Sequence, residues 1–98
     1  MVKVALNKCC GEFKLSEAGA RMYSELARTP KPVYTFDGEV KRTDPNLLLV
    51  IEKLGKAAGG ASSALGVVEV PDDVKWTIYD YNGAEWVAEV HRTWRAAT

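Results

Sequence analysis

The chain has 98 residues, 47% hydrophobic and 27% charged, which suits a single globular domain spanning 1–98 and excludes the disordered class. Thirteen basic side chains balance thirteen acidic ones, so no overall field draws the protein to nucleic acid or to an anionic membrane. The longest apolar run, "LLLVI" at 47–51, is far shorter than the roughly 20 residues of a membrane span.

The N-terminal "MVKVALNK" carries a lysine at position 3 and no apolar stretch of signal-peptide length, so a cytoplasmic location is expected. "VKVALN" (2–7) alternates, with Val2, Val4 and Leu6 on one face, as in a half-buried strand. Cys9 and Cys10 follow. Neighbours in sequence can close only a strained ring, so reduced thiols are expected. A first helix opens at Leu15–Ser16, with Ser16 as N-cap and Glu17 on the positive end of the dipole, and runs to about Arg28. Ala18, Met22 and Leu26, with Tyr23 beside them, form its expected buried stripe.

Pro30 and Pro32 stop that helix, and "VYTF" (33–36) before Asp37–Gly38 reads as a short strand or hairpin. A second helix opens at Asp44 with Pro45 in its first turn and ends at Gly59 or Gly60. Leu47, Val50, Ile51, Leu54 and Ala58 face inward. Leu48 and Leu49 widen the stripe and hint at contact with another copy.

"ALGVVEVP" (64–71) reads as a strand ended by Pro71, followed by solvated carboxylates at Asp72 and Asp73. "KWTIYDY" (75–81) and "EWVAEVHRTW" (85–94) then form a C-terminal hairpin. An Asn-Gly turn of two residues would place Trp76 opposite Glu89. A three-residue loop over 82–84 instead pairs Trp76 with Val90, Ile78 with Ala88 and Asp80 with Trp86. It gathers the large apolar groups on one face and is the expected register.

The order predicts an α+β or small α/β domain: a mixed sheet of four to five strands, two helices on one face and an antiparallel C-terminal hairpin. With strand 1, "VYTF" and "LGVVEV" as parallel neighbours, right-handed crossovers place both helices on one side. Ligands in such folds sit beyond the carboxyl ends of strands, beside helix N-termini. "NKCCGEFKLS" (7–16) occupies that place, and Asn7, Cys9, Cys10, Gly11 and Ser16 are the candidate ligand-binding residues. Gly11 would let backbone approach a ligand, and the amides after Ser16 would welcome an anion. The segment lacks the G-x-G-x-x-G and Lys-Ser/Thr signatures, and a plain corner accounts for it equally.

A catalytic reading would take Cys9 or Cys10 as nucleophile and the sole histidine, His91, as base. A metal site would have at most two Cys and one His at spacings atypical of zinc, and neither metal nor cofactor is expected. His91, Arg92, Trp94 and Arg95 cluster near the C-terminus and are candidate interaction residues, the alternative being that Trp94 closes the core.

Three blocks carry a resemblance. Asn7, Cys9, Gly11, Phe13, Leu15 and Ser16 fit N-x-C-x-G-G-F-x-L-S-x-x-A. Arg42, Thr43, Asp44, Pro45 and Leu47 fit R-T-D-P-x-L, with Leu54–Gly55 following. Pro71, Asp72, Asp73, Val74, Trp76, Ile78, Tyr81, Gly83 and the run from Glu85 to Trp94 fit P-D-D-V-x-W-x-I-x-x-Y-x-G-x-E-W-V-A-E-x-H-R-T-W. In these blocks the chain resembles a group of small uncharacterised proteins of tailed phages and bacterial genomes. Glu12 replaces the pattern's second glycine and Gly19 replaces its alanine. The resemblance implies a phage accessory protein in the host cytoplasm and no particular activity.

The expected function is therefore non-catalytic binding of a host protein or of a small anionic ligand such as a nucleotide. The alternatives are a small Cys-dependent enzyme and a self-associating structural or assembly protein, with a homodimer in view. Nucleic acid and membrane are not expected partners.

Overall fold

The computed structural model describes residues 1–9, 11–36, 41–61 and 63–90. Strand β1 (Val2–Asn7) leads to helix α1 (Glu17–Ala27), a 3₁₀ turn (Lys41–Thr43), helix α2 (Pro45–Leu54) and a second 3₁₀ turn (Gly55–Ala58). Strands β2 (Leu65–Val70), β3 (Trp76–Tyr81) and β4 (Ala84–Glu89) follow. The protein is α+β, with a C-terminal hairpin as expected. The single mixed sheet is corrected: β1–β2 and β3–β4 form two separate two-stranded sheets, both antiparallel.

Three layers result. On one side of β1–β2, Ala5 and Leu65 join the main core with Phe13, Leu15, Ala20, Tyr23, Phe36, Leu47, Val50, Ile51 and Ala58. On the other side Val4, Leu6 and Val70 pack against Val74, Trp76, Ile78 and Val87 of the hairpin region. β1 is thus covered on both faces, not one. Both helices contribute side chains to the first of these clusters.

Ser16 caps α1 by accepting from the Gly19 N–H at 3.0 Å, and Asp44 caps α2 through the Asn46 N–H at 2.8 Å. The buried residues of α1 are Gly19, Ala20 and Tyr23, while Ala18 and Leu26 face solvent, so the expected stripe is rotated. The rotation has a contact behind it. A Cβ on Gly19 would lie 2.8 Å from the Ala58 carbonyl, so glycine lets α1 seat on the second 3₁₀ turn. Regular helix α2 ends at Leu54, before the expected glycines, and the 3₁₀ turn completes the run.

"VYTF" is not a strand. The Tyr34 carbonyl accepts from Leu15 N–H and the Phe36 carbonyl accepts from Arg42 Nε, so these groups are satisfied without a ladder. The hairpin register is the other correction. Asn82 (φ 52°) and Gly83 (φ 90°) make a two-residue turn of the mirror-image type, and Trp76 faces Glu89, Ile78 faces Val87 and Tyr79 faces Trp86.

Candidate functional site

The first loop meets the tip of the hairpin, and Asn7 is the joint. Its side chain has no solvent exposure and its amide is fully used. Nδ2 donates to the carbonyls of Cys9 (3.0 Å) and Gly83 (2.9 Å). Oδ1 accepts from the N–H groups of Cys9 (3.3 Å) and Ala64 (2.9 Å). Two donors and two acceptors exhaust an asparagine, so Asn7 works as a strut with nothing left for a ligand. Gly83 sits so tightly that an added Cβ would fall 1.2 Å from the Gly11 carbonyl oxygen.

Beside this joint lies a buried ion pair that the candidate residues did not include. Arg42 places Nη1 at 2.5 Å from Glu85 Oε1 and Nη2 at 2.9 Å from Oε2, a two-pronged pairing with side-chain exposures of 9% and 11%. Arg42 also donates from Nε to the Phe36 carbonyl (2.7 Å) and from Nη1 to the Ala5 carbonyl (3.3 Å). Its guanidinium stands 3.8 Å over the Phe13 ring. Glu85 Oε1 accepts from the Asn7 N–H at 2.9 Å. Both partners fall within the motif blocks, but 43 residues separate them. No local spacing joins them.

Gly11 is half-buried at a cleft of about 240 Å³ that Glu12, Phe13, Thr35, Arg42, Asp80, Gly83 and Glu85 also line. Three carboxylates against one arginine whose fork is already engaged make this cleft unattractive to an anion. Cys9 is exposed, and the bonds from Asn7 hold its backbone. Ser16, besides capping α1, donates from Oγ to the Ala57 carbonyl at 2.5 Å. Cys10, His91, Arg92, Trp94 and Arg95 lie outside the described residues. Among the described residues no group of three or more His, Cys, Asp or Glu is placed to hold a metal ion, and no helix is long and apolar enough to cross a membrane.

Two apolar features complete the surface. A groove of about 480 Å³ separates β2 from the hairpin, with Val68, Val70, Val74, Trp76 and Val87 in its lining. On the hairpin's opposite face Tyr79 and Trp86, cross-strand partners, stack with ring centroids 6.0 Å apart and an interplanar angle of 25°. Their exposures are 50% and 47%, and Tyr81 beside them is 73% exposed. From Trp76 to Glu89 the hairpin contains no lysine or arginine, but it contains Asp80, Glu85 and Glu89.

Comparison of the chain with protein-family models, with curated proteins and with solved structures gave no match.

Proposed function

We propose that the protein is a non-catalytic binding module whose partner is another protein, docked on the outer face of the β3–β4 hairpin. The observation that carries this reading is the row Tyr79, Trp86, Tyr81: large, about half exposed or more, and contiguous on a two-stranded support. Aromatic side chains of this kind dominate interface energetics because they bury large area at small entropic cost. Asp80, Glu85 and Glu89 share the inner face with Ile78 and Val87, so the outer face of Thr77, Tyr79, Tyr81, Trp86 and Ala88 carries no charged side chain. It offers a phosphate no counter-charge, and an apolar protein surface fits. Of the two expected ligands, the charge at the Gly11 cleft likewise favours the protein over the nucleotide. The resemblance of the closing block to small proteins of tailed phages makes the host cytoplasm the setting of that encounter.

The test is affinity capture from host extract by the immobilised protein, followed by titration of the purified captured partner. The variant carrying Tyr79→Ser and Trp86→Ser, shown by circular dichroism to keep its fold, should bind that partner at least tenfold more weakly. Equal binding by variant and parent overturns the reading. Stabilisation of the parent by millimolar nucleotide in a thermal scan would return the anionic ligand to first place.

A further inference from the structure

The two edges of the β1–β2 sheet are treated very differently. The Lys8 N–H donates to the Ala64 carbonyl at 2.7 Å, in register with the ladder, which fixes its phase. Lys8–Ala64, Leu6–Gly66, Val4–Val68 and Val2–Val70 are the bonded pairs, so Lys3, Ala5 and Asn7 of β1, and Leu65, Val67 and Glu69 of β2, turn their backbone groups outward. On β1 the Ala5 carbonyl takes Arg42 Nη1 and the Asn7 N–H takes Glu85 Oε1. The ion pair stands where a neighbouring strand would stand and takes up two of that edge's outward groups. On β2 the outward groups of Leu65, Val67 and Glu69 have no partner among the described residues. The strand has no proline, no lysine and no bulge, and Val67 and Val68 are 38% and 39% exposed. Guarded edges carry such devices; this one carries only the single charge of Glu69.

We infer that the β2 edge pairs with the β2 edge of a second copy, antiparallel about a two-fold axis at Val67. In that register Leu65 faces Glu69 of the other copy and Val67 faces Val67. All three outward-turned residues on each strand then meet their counterparts, and the two edges supply six ladder hydrogen bonds. Charge selects the same arrangement. Glu69 is the strand's only charged residue. The antiparallel register holds the two Glu69 residues four positions apart, about 13 Å at the usual strand rise and beyond the Debye length of about 8 Å in physiological salt. A parallel pairing would set them side by side. On the helix side the edge continues into a cleft of about 400 Å³ lined by Lys3, Leu48, Glu52, Val67 and Glu69, whose half-exposed Leu48 gains cover from the second copy. A six-residue ladder with one flanking layer belongs to the small interface class, below about 1,200 Å², so the dimer is weak and concentration-dependent.

Sedimentation equilibrium from micromolar to millimolar protein tests this. The wild-type mass should rise from 10.8 kDa towards twice that value. Val67→Pro removes only an outward N–H, which an edge strand tolerates, and Val67→Lys puts two like charges at the two-fold axis. Both variants should stay monomeric over the whole range with unchanged circular dichroism. A wild type that remains monomeric at millimolar concentration overturns the inference and leaves the edge for a strand of another protein. A dimer that survives both Val67 changes but is lost with Tyr79→Ser and Trp86→Ser also overturns it, placing the contact on the aromatic face.

Discussion

Replacing Arg42 and Glu85 together by Met and Leu separates two roles that the ion pair combines. A buried pair exchanged for apolar groups of similar volume is commonly neutral or stabilising, because the desolvation penalty disappears with the charges. Here the exchange should fail. Arg42 and Glu85 also satisfy the Asn7 N–H, the Ala5 carbonyl and the Phe36 carbonyl. With the exchange of the charges themselves taken as neutral, each stranded backbone group costs about 1 kcal/mol at the low end of the usual range, so the double variant should lose about 3 kcal/mol. The single change Glu85→Leu leaves the guanidinium buried without its carboxylate and should lose about 3–5 kcal/mol. A domain of this size has a total of about 5–15 kcal/mol to lose. Urea unfolding followed by tryptophan fluorescence reads the difference: a loss of 3 kcal/mol lowers the midpoint by about 2 M at an m-value near 1.5 kcal/mol/M. A double variant as stable as the wild type would refute the argument that these side chains stand in for a strand at the β1 edge.

Gly83→Ala should be the most damaging single-methyl change in the hairpin, since its Cβ would fall within 1.2 Å of backbone at a φ of 90°. Loss of the native near-ultraviolet signal of Trp76 and Trp86, or failure to fold, is the expected result; a well-folded variant would contradict the packing. Asn7→Asp keeps shape but turns two donations into contacts between a carboxylate and the carbonyls of Cys9 and Gly83. It should cost about 2–4 kcal/mol in urea unfolding, two stranded acceptors at 1–2 each. Tyr23 is held neutral by burial first and then by its 2.5 Å hydrogen bond to the Asp44 carboxylate and that group's charge, with its pKa pushed from 10.0 to about 12. A raised phenol pKa stabilises the fold fully below pH 10, and the contribution is lost as pH climbs through about 12. Absorbance titration at alkaline pH should show one tyrosine lagging the others, and Tyr23→Phe should abolish the lagging step.

What the residues disclose about this fold depends on how far apart the interacting partners lie. Caps at Ser16 and Asp44, the inward stripe of α2 and the existence of every strand except "VYTF" follow from signals within a few positions, and these were legible. Two of the failures, the hairpin register and the reading of "VYTF" as a strand, share one origin. In β4 the alternation favours Trp86, Ala88 and Val90 as the inner face, because Glu85 looks like a solvent residue. Paired with Arg42 it becomes an inner one, the Asn-Gly turn takes its preferred two-residue form, and Trp86 is carried outward to stack on Tyr79. Arg42 likewise takes the Phe36 carbonyl, so "VYTF" settles beside Leu15 without a ladder. One long-range ion pair therefore decides the hairpin register and the single missing strand. The same pairing turns Trp86 into a surface residue: the aromatic face assigned to the partner exists because Glu85 is buried. A change at Arg42 that leaves the chain folded should then reduce partner binding without touching the binding surface.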